Sequence, residues 1–150
     1  MDFTSLFQEF DLQRIIGHYT FSTDVFNVIG NTPGSCVCNG HDSGNGNSVA
    51  VKQLHSYSYD TAQVLKAIET FRGLSQHHPN IVRLLHLESV DKSLYMVLEY
   101  CPWNLETYCE DKNPDTDEIF ELITQCMRAI CFLHSQLPQV SRYGYYLREI

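Results

Sequence analysis

The side chains best suited to metal binding or redox chemistry in this sequence are its cysteines. The six of them stand at positions 36, 38, 101, 109, 126 and 131. Cys36, Cys38 and His41 are spaced as metal ligands can be, but a structural zinc site usually brings four ligands. The N-terminus also lacks the basic and apolar stretches of a secretory signal. We therefore predict free thiols in a reducing compartment, and no bound metal.

Lys52 lies near the end of a short run of apolar, β-branched residues. Other short apolar runs are likewise bounded by Gly, Pro, Asn or Asp, which is typical of antiparallel strands. The predicted strands cover residues 10–16, 25–29, 48–54, 81–87 and 94–100. Helical spacing of apolar residues predicts helices over 60–75, near 105–109 and, most clearly, over 119–133.

The segment 31–47, between the second and third predicted strands, is dense in Gly, Asn and Ser. It carries too little apolar surface to fold by itself. We therefore predict an exposed, mobile hairpin loop over these residues.

The motif Val49-Ala50-Val51-Lys52 is similar to the Val-Ala-x-Lys of protein kinases. The resemblance implies that Lys52 contacts the α- and β-phosphates of ATP, because a fixed cation offsets the charge of the triphosphate. It also implies that residues 16–25 form the glycine-rich phosphate loop. There Ile16 and Gly17 would approach the nucleotide and Val25 would cover the adenine. Ala50, beside Lys52 in the motif, is a further expected nucleotide contact.

That loop departs from the family pattern. It keeps only the first glycine, since Tyr19 and Ser22 stand where the second and third glycines are expected. Glycines in this loop let the backbone N–H groups approach the phosphates closely. The departure leaves phosphate binding open.

Two later segments extend the resemblance. The predicted helix 60–75 resembles the kinase αC helix, in which Glu69 is the candidate partner of Lys52. The apolar register favours Ala67 or Ile68 at the inward position, so a solvated helix acid is the alternative for Glu69. Residues 94–101 resemble the fifth strand and hinge, with Leu98 as gatekeeper and the backbone of Glu99 and Cys101 bonding the adenine edge.

Within the kinases, the sequence is similar to the inositol-requiring kinase/endoribonucleases and the 2-5A-dependent ribonuclease. The similar residues are Gly17-His18, Thr23, Val25-Phe26, Leu98-Glu99-Tyr100-Cys101, Leu105-Glu106-Thr107-Tyr108 and Leu133-His134-Ser135. This resemblance implies a serine/threonine kinase that senses unfolded-protein stress or a nucleotide signal. It further implies a kinase-domain homodimer or a full-length paralogue as partner, and a cytoplasmic domain whose parent protein is anchored in the ER membrane.

The residues that transfer the phosphoryl group are missing from the sequence. A kinase continues after the helix ending near Ser135 into a His-Arg-Asp loop and an Asp-Phe-Gly, but no Asp or Asn follows Asp117 here. We therefore predict ATP binding in this chain, with Mg²⁺ used only in the complete parent domain. The alternative is a catalytically dead fragment that acts as a nucleotide- or partner-binding module.

The net charge of −8 disfavours nucleic acid and anionic membranes as partners of this segment. The fold class predicted from the resemblance is α+β: a kinase N-lobe of about five antiparallel strands plus αC, followed by the first C-lobe helices. The predicted parts are an N-terminal extension (1–9), the N-lobe (10–101), the start of the C-lobe (102–135) and a divergent tail (136–150).

Overall fold

The computed structural model describes residues 13–55 and 61–136. Seven strands and three helices follow one another in these ranges. They are β1 (Gln13–Ile16), β2 (Tyr19–Ser22), β3 (Val28–Thr32), β4 (Ser35–Asp42), β5 (Ser48–His55), α1 (Thr61–Ser75), β6 (Leu84–Val90), β7 (Ser93–Glu99), α2 (Leu105–Lys112) and α3 (Thr116–Ser135). The N-terminal extension, the first predicted strand before Gln13, the predicted helix start at Asp60 and the tail after Gln136 lie outside the described residues.

The chain divides into two compact units. The described part of the first consists of residues 13–55 and 86–97, and that of the second consists of residues 61–85 and 98–136. No helix in the described part of the chain is long and apolar enough to cross a membrane.

The strands form one sheet in the order β1-β2-β4-β5-β7-β6. One edge of β4 is shared by two strands: β2 pairs with residues 40–42, and β3 pairs with residues 35–38. The pairs that β4 makes with β2, β3 and β5 are all antiparallel. The α+β fold of a kinase N-lobe with the first C-lobe helices is therefore confirmed, although the sheet has seven strands instead of about five.

The predicted loop over 31–47 is wrong for residues 35–42, which form β4. This strand pairs with β5 over seven residue pairs, from Ser35↔Leu54 to His41↔Ser48. Cys38, in its middle, is only 1% exposed. The composition of the segment does not indicate a strand, because the stability of β4 comes from pairing on both edges and not from its own apolar surface.

A second difference concerns the predicted strand 25–29. Residues 24–27 form a turn in which the Asp24 carboxylate accepts hydrogen bonds from the backbone N–H groups of Phe26 and Asn27, at 2.9 and 3.0 Å. Val25 and Phe26 are consequently 86% and 95% exposed, and the strand begins at Val28. An Asp side chain that satisfies its own turn competes with strand pairing.

The β1–β2 hairpin turns tightly at Gly17, whose φ is +56°. A Cβ at this position would lie 3.1 Å from Nε2 of His86 on β6. The hairpin also places the Arg14 guanidinium 2.9 Å from the Tyr95 hydroxyl, to which it donates, and the Phe21 ring against the Tyr95 ring. Side chains of β1 and β2 thus contact Tyr95 on β7.

In the second unit, α1 buries Val64, Ala67, Ile68 and Phe71. The turn after α1 contacts α3, since His78 stacks on Phe132 at 5.0 Å and Asn80 donates to Gln125 at 3.1 Å. A capping box starts α3, in which Asp115 and Glu118 each accept from the other's backbone N–H.

The apolar stripe of α3 is exposed. Every residue of this helix is exposed or half-buried, and the exposed apolar side chains are those of Ile119, Phe120, Ile123, Met127 and Ile130. A contiguous apolar helix face in contact with water favours binding to apolar probes and self-association.

Glycine substitutions test the tight β1–β2 turn. We expect Gly17→Ala to lower the free energy of unfolding by about 1–2 kcal/mol, because a Cβ is strained at positive φ. Gly73→Ala is the matched control, since among the described residues no neighbour lies within 4 Å of its added Cβ and α1 gains a better helix former. Urea unfolding should show the second variant to be equally or more stable than wild type. Equal stability of Gly17→Ala and wild type would contradict the described turn.

The exposed face of α3 predicts strong binding of a hydrophobic dye. Phe120→Glu should reduce the dye fluorescence while changing the free energy of unfolding by no more than about 0.5 kcal/mol, because the side chain is already in water. Gln125→Glu adds the same charge on the opposite side of the helix and should leave the fluorescence unchanged. A wild-type chain that is monomeric and binds no dye would show that the stripe is covered.

Candidate functional site

The lysine singled out in the sequence lies in the interior of the sheet. β5 is paired with β4 on one side and adjoins β7 on the other, so it is a central strand. Ala50 and Lys52 are 9% and 6% exposed and share one face, because side chains alternate along a strand. Val49 and Val51 are buried on the opposite face. The lysine is thus held by backbone pairing on both sides of its strand.

The residues beside Lys52 come from the β3–β4 hairpin. Val37 pairs with Lys52 across β4 and β5, and Gly30 pairs with Val37 across β3 and β4. Directly paired residues share a face of the sheet. A row of Gly30, Val37 and Lys52 therefore crosses three strands, with the small Gly30 leaving Val37 uncovered on its side.

The tip of this hairpin is a tight turn. Thr32 and Ser35 are the last paired residues, and their hydroxyl oxygens lie 2.8 Å apart across Pro33 and Gly34. The Gly34 carbonyl accepts a hydrogen bond from the backbone N–H of His55 at 3.1 Å, which ties the tip to the end of β5. The turn and the lysine strand are in this way fixed to each other.

Three residues predicted to bind nucleotide lie apart from this row. Ile16 ends β1 and is buried, and Gly17 forms the β1–β2 turn. Val25 is in the turn held by Asp24, whose pKa is lowered by hydrogen bonds from Ser22 and Asn27. Both sides of β5 are occupied by other strands, so the hairpin of Ile16 and Gly17 is not a neighbour of Lys52 in the sheet.

Glu69, the predicted partner of Lys52, is on the exposed face of α1. Its neighbours Ala67 and Ile68 are 4% and 1% exposed, which agrees with the apolar register read from the sequence. Glu69 lines a groove of about 440 Å³ together with residues that include Gly73, His77 and Phe132. The ion pair between Glu69 and Lys52 stays a prediction.

The predicted hinge follows β7 in the second unit. Leu98 is 8% exposed, whereas Cys101 is exposed. Glu99 is anchored twice by Arg83: its backbone N–H donates to the Arg83 carbonyl at 3.0 Å, and its carboxylate accepts from Nε at 2.7 Å. These bonds fix the chain at the first of the two residues expected to bond the adenine.

The cysteine and histidine residues considered as metal ligands do not converge. Cys36 and Cys38 lie on one face of β4, with their sulfur atoms 3.6 Å apart, while His41 is at an odd number of residues from both and on the other face. Within the described ranges, no group of three or more His, Cys, Asp or Glu side chains is placed to hold a metal ion.

Comparison with known proteins identifies the family. The protein kinase domain family matches residues 23–137 of the chain. The chain belongs to the protein kinase family. A serine/threonine-protein kinase of Drosophila melanogaster, PAK mbt, is 32% identical over 114 residues, which are 75% of this chain and 18% of that protein.

Other kinases match over similar parts of the chain. Cyclin-dependent kinase F-4 of Oryza sativa subsp. japonica is 28% identical over 110 residues, covering 71% of this chain and 22% of the kinase. Maternal embryonic leucine zipper kinase of Xenopus laevis is 34% identical over 95 residues, which are 61% of this chain and 14% of that kinase. The chain thus spans about a fifth or less of the length of these kinases.

The start of the kinase match bears on the phosphate loop. Residue 23 follows β2, so β3, β4 and β5 are the first three strands of the matched segment, and Lys52 is on the third, as in the family. The family pattern Gly-x-Gly-x-x-Gly-x-Val places its valine seven residues after the first glycine. Counting from Gly17 gives Asp24, but counting from Gly30 gives Val37. The count from Gly30 can be made in the sequence, but it conflicts with the loop predicted over 31–47.

The thiol at the hinge offers a test of the local geometry. Partial desolvation of the thiol by neighbouring atoms, with the nearby negative charge of Glu99 as a second cause, raises the pKa of Cys101 above its ordinary value. Because the thiolate is the nucleophile, we expect slow alkylation of Cys101 at pH 8 that accelerates at higher pH.

Glu99→Gln should lower the pKa of Cys101 and speed its alkylation at pH 8, since one of the two causes is removed. The measurement is the rate of iodoacetamide labelling of each cysteine-containing peptide by mass spectrometry. Cys126, on α3, serves as the internal reference. An unchanged labelling rate of Cys101 in Glu99→Gln would contradict the role of that carboxylate.

Proposed function

We propose that this kinase segment binds ATP, with Lys52 as the side chain that contacts the phosphates. The observation that carries the proposal is the buried position of Lys52 on a central strand, in one row with Val37 and Gly30. A lysine fixed in this way presents its charge without a further loss of side-chain freedom on binding. Ala50, on the same face, gives a small apolar contact for the adenine.

The proposed phosphate loop is the β3–β4 hairpin from Gly30 to Val37, instead of residues 16–25. Supporting it are the family match from residue 23, the adjacency of β4 and β5, and the seven-residue count from Gly30 to Val37. In this assignment Val37 takes the role predicted for Val25. Ile16 and Gly17 then stabilise the preceding hairpin and leave the set of nucleotide contacts.

This loop also departs from the family, because Thr32 and Ser35 replace the second and third glycines. Side chains at these positions keep the backbone farther from a phosphate than glycine does. We expect weaker phosphate binding than in a loop with all three glycines. The hydroxyl groups of Thr32 and Ser35 can donate hydrogen bonds to phosphate oxygens in partial compensation.

The family resemblance adds residues of the second unit to the proposal. Glu69 is proposed to pair with Lys52, Leu98 to act as gatekeeper, and the backbone of Glu99 and Cys101 to bond the adenine edge. The anchoring of Glu99 by Arg83 supports a defined backbone at this point.

Phosphoryl transfer is proposed for the complete protein, as a serine/threonine kinase using Mg²⁺. The names of the similar kinases support the serine/threonine type. Residues 1–150 themselves contain no Asp or Asn after Asp117 that could serve as catalytic base or magnesium ligand beyond α3. For these residues alone the function is therefore nucleotide binding, or partner binding by a catalytically dead module.

The finer assignment to unfolded-protein-response sensors is proposed on the similar residues given above, chiefly Leu98 to Cys101 and Leu133 to Ser135. It brings with it a kinase-domain homodimer or full-length paralogue as partner. It also brings a cytoplasmic location, with the parent protein anchored in the ER membrane. The matched kinases include a cyclin-dependent kinase and a PAK, and their similarity supports the wider family.

Thermal unfolding with and without Mg-ATP tests nucleotide binding. At ATP about 100-fold above its Kd, wild type should gain about 2.7 kcal/mol of stability. Lys52→Met, which keeps the buried volume but removes the charge, should lose this gain. Lys66→Met, at an exposed position of α1, is the control and should respond as wild type does. If Mg-ATP stabilises all three proteins equally little, the chain does not bind ATP as proposed.

A pair of valine substitutions distinguishes the two positions of the phosphate loop. Val37→Ala should weaken ATP binding several-fold, since about 1 kcal/mol of apolar contact is lost. Val25→Ala, at a position that is 86% exposed, should bind ATP as wild type does. Titrations of both variants, with their melting temperatures without nucleotide as a check on folding, give the answer. The reverse order of effects would restore residues 16–25 as the loop.

A further inference from the structure

Two cysteines lie on the same face of β4 within reach of each other. The Sγ atoms of Cys36 and Cys38 are 3.6 Å apart, because residues two apart on a strand point in the same direction. Among the six cysteines, which are all free thiols, Cys38 is buried and Cys36 is half-buried. Of this pair, Cys36 is therefore the thiol that is more accessible to a reagent in solution.

We propose that Cys36 and Cys38 form a reversible disulfide that deforms the β3–β4 hairpin. Cα atoms two residues apart on a strand are separated by about 6.6–6.8 Å, at the upper end of the range of about 4.4–6.8 Å found in disulfides. Closing the bond therefore draws the two Cα atoms together. The backbone between them must pucker, and the residue between them is Val37.

The consequence for the sheet follows from the pairing of these residues. Cys36 pairs with Asn31 and Gln53, and Cys38 pairs with Val28 and Val51. Val37 is the link between Gly30 and Lys52, on the face opposite to the two thiols. A pucker at Val37 disturbs its alignment with both neighbours. This part of the inference rests on the proposed function, since that alignment is the proposed nucleotide surface.

The oxidant is a peroxide, and the electrons balance in two steps. The Cys36 thiolate attacks one peroxide oxygen, the O–O bond breaks, and the leaving hydroxide takes a proton to become water. The sulfur of Cys38 then attacks the Cys36 sulfenic acid, the S–O bond breaks, and a second water leaves with the thiol proton. Two thiols are oxidised by two electrons in total, and one hydrogen peroxide is reduced to two waters.

The environment of Cys38 controls the rate of the second step, in which the disulfide forms. Burial, together with its contact to Cys36, raises the pKa of Cys38 to about 12. The thiolate fraction at neutral pH is consequently small, and disulfide closure should accelerate as the pH rises. Reduction by an external dithiol begins at the more accessible Cys36 sulfur.

The sequence makes the disulfide easy to locate. Trypsin cleaves after Arg14 and Lys52, and the peptide 15–52 between them contains Cys36 and Cys38 and none of the other four cysteines. The folded chain is treated with hydrogen peroxide, its remaining thiols are alkylated, and it is then digested. We expect this peptide to lose two hydrogens and to regain two alkylation sites after dithiothreitol treatment.

The effect on the nucleotide surface is measured on the same samples. Oxidation should reduce the affinity for Mg-ATP at least several-fold, and dithiothreitol should restore it. Cys38→Ala, at a position outside the Gly30–Val37 loop, should bind Mg-ATP as the reduced wild type does and form no disulfide. Cys36→Ser should likewise form no disulfide with peroxide. Cys109→Ser, which removes an exposed thiol of α2, should keep the wild-type response.

Each outcome decides one of the two proposals. A peptide 15–52 that takes up two alkyl groups after peroxide treatment overturns the disulfide. A disulfide that forms without changing the Mg-ATP affinity overturns its action on the hairpin. If the reduced chain does not bind Mg-ATP, the proposed function fails. The disulfide and its deformation are then judged by the mass of the peptide and by a peroxide-dependent melting temperature that Cys36→Ser abolishes.

Discussion

Backbone pairing on both sides of β5 is the constraint on which the first unit depends. The strand carries alternating buried side chains, so Val49 and Val51 fill one face of the sheet while Ala50 and Lys52 are held on the other. A buried ammonium group is unfavourable unless the surrounding structure compensates for the water it has lost. The cost is tolerated where a position must present a charge in a fixed place. The kinase family uses its strand lysine in this way.

The sequence predicted β5 and α1 because each is determined by its own residues. A β-branched run with turn residues on either side specifies a strand, and the spacing of Val64, Ala67, Ile68 and Phe71 specifies a helix with one buried side. The strand β4 could not be predicted in the same way. Its residues include Asn39, Gly40 and His41, which have weak strand preference, and its stability comes from pairing with neighbouring strands and not from its own apolar surface.

The loop predicted over residues 31–47 also influences where the phosphate loop is sought. If residues 31–47 form a loop, Gly17 is the glycine that follows a predicted strand at a plausible distance before Lys52. Gly17 and Gly30 look alike in the sequence, but they differ physically. Gly17 has positive φ and lies against His86, whereas Gly30 is within a strand, where an added Cβ would lie 3.7 Å from the Val37 side chain. The pairing of β3, β4 and β5 is needed to distinguish the two: Gly17 is required by a turn, whereas Gly30 leaves space beside a strand.

The helix α3 shows a different limit of sequence patterns. Its apolar stripe and its capping box specify where the helix lies and which side is apolar, and both agree with the structure. The pattern carries no information on what covers that side, because an amphipathic helix has the same sequence whether its partner is present or absent. The exposed Phe120 and Ile123 must gain from leaving water, which is the same apolar driving force that buries Ile68 on α1. The two helices differ in what lies against them, and that difference is a property of the fold and not of either sequence segment.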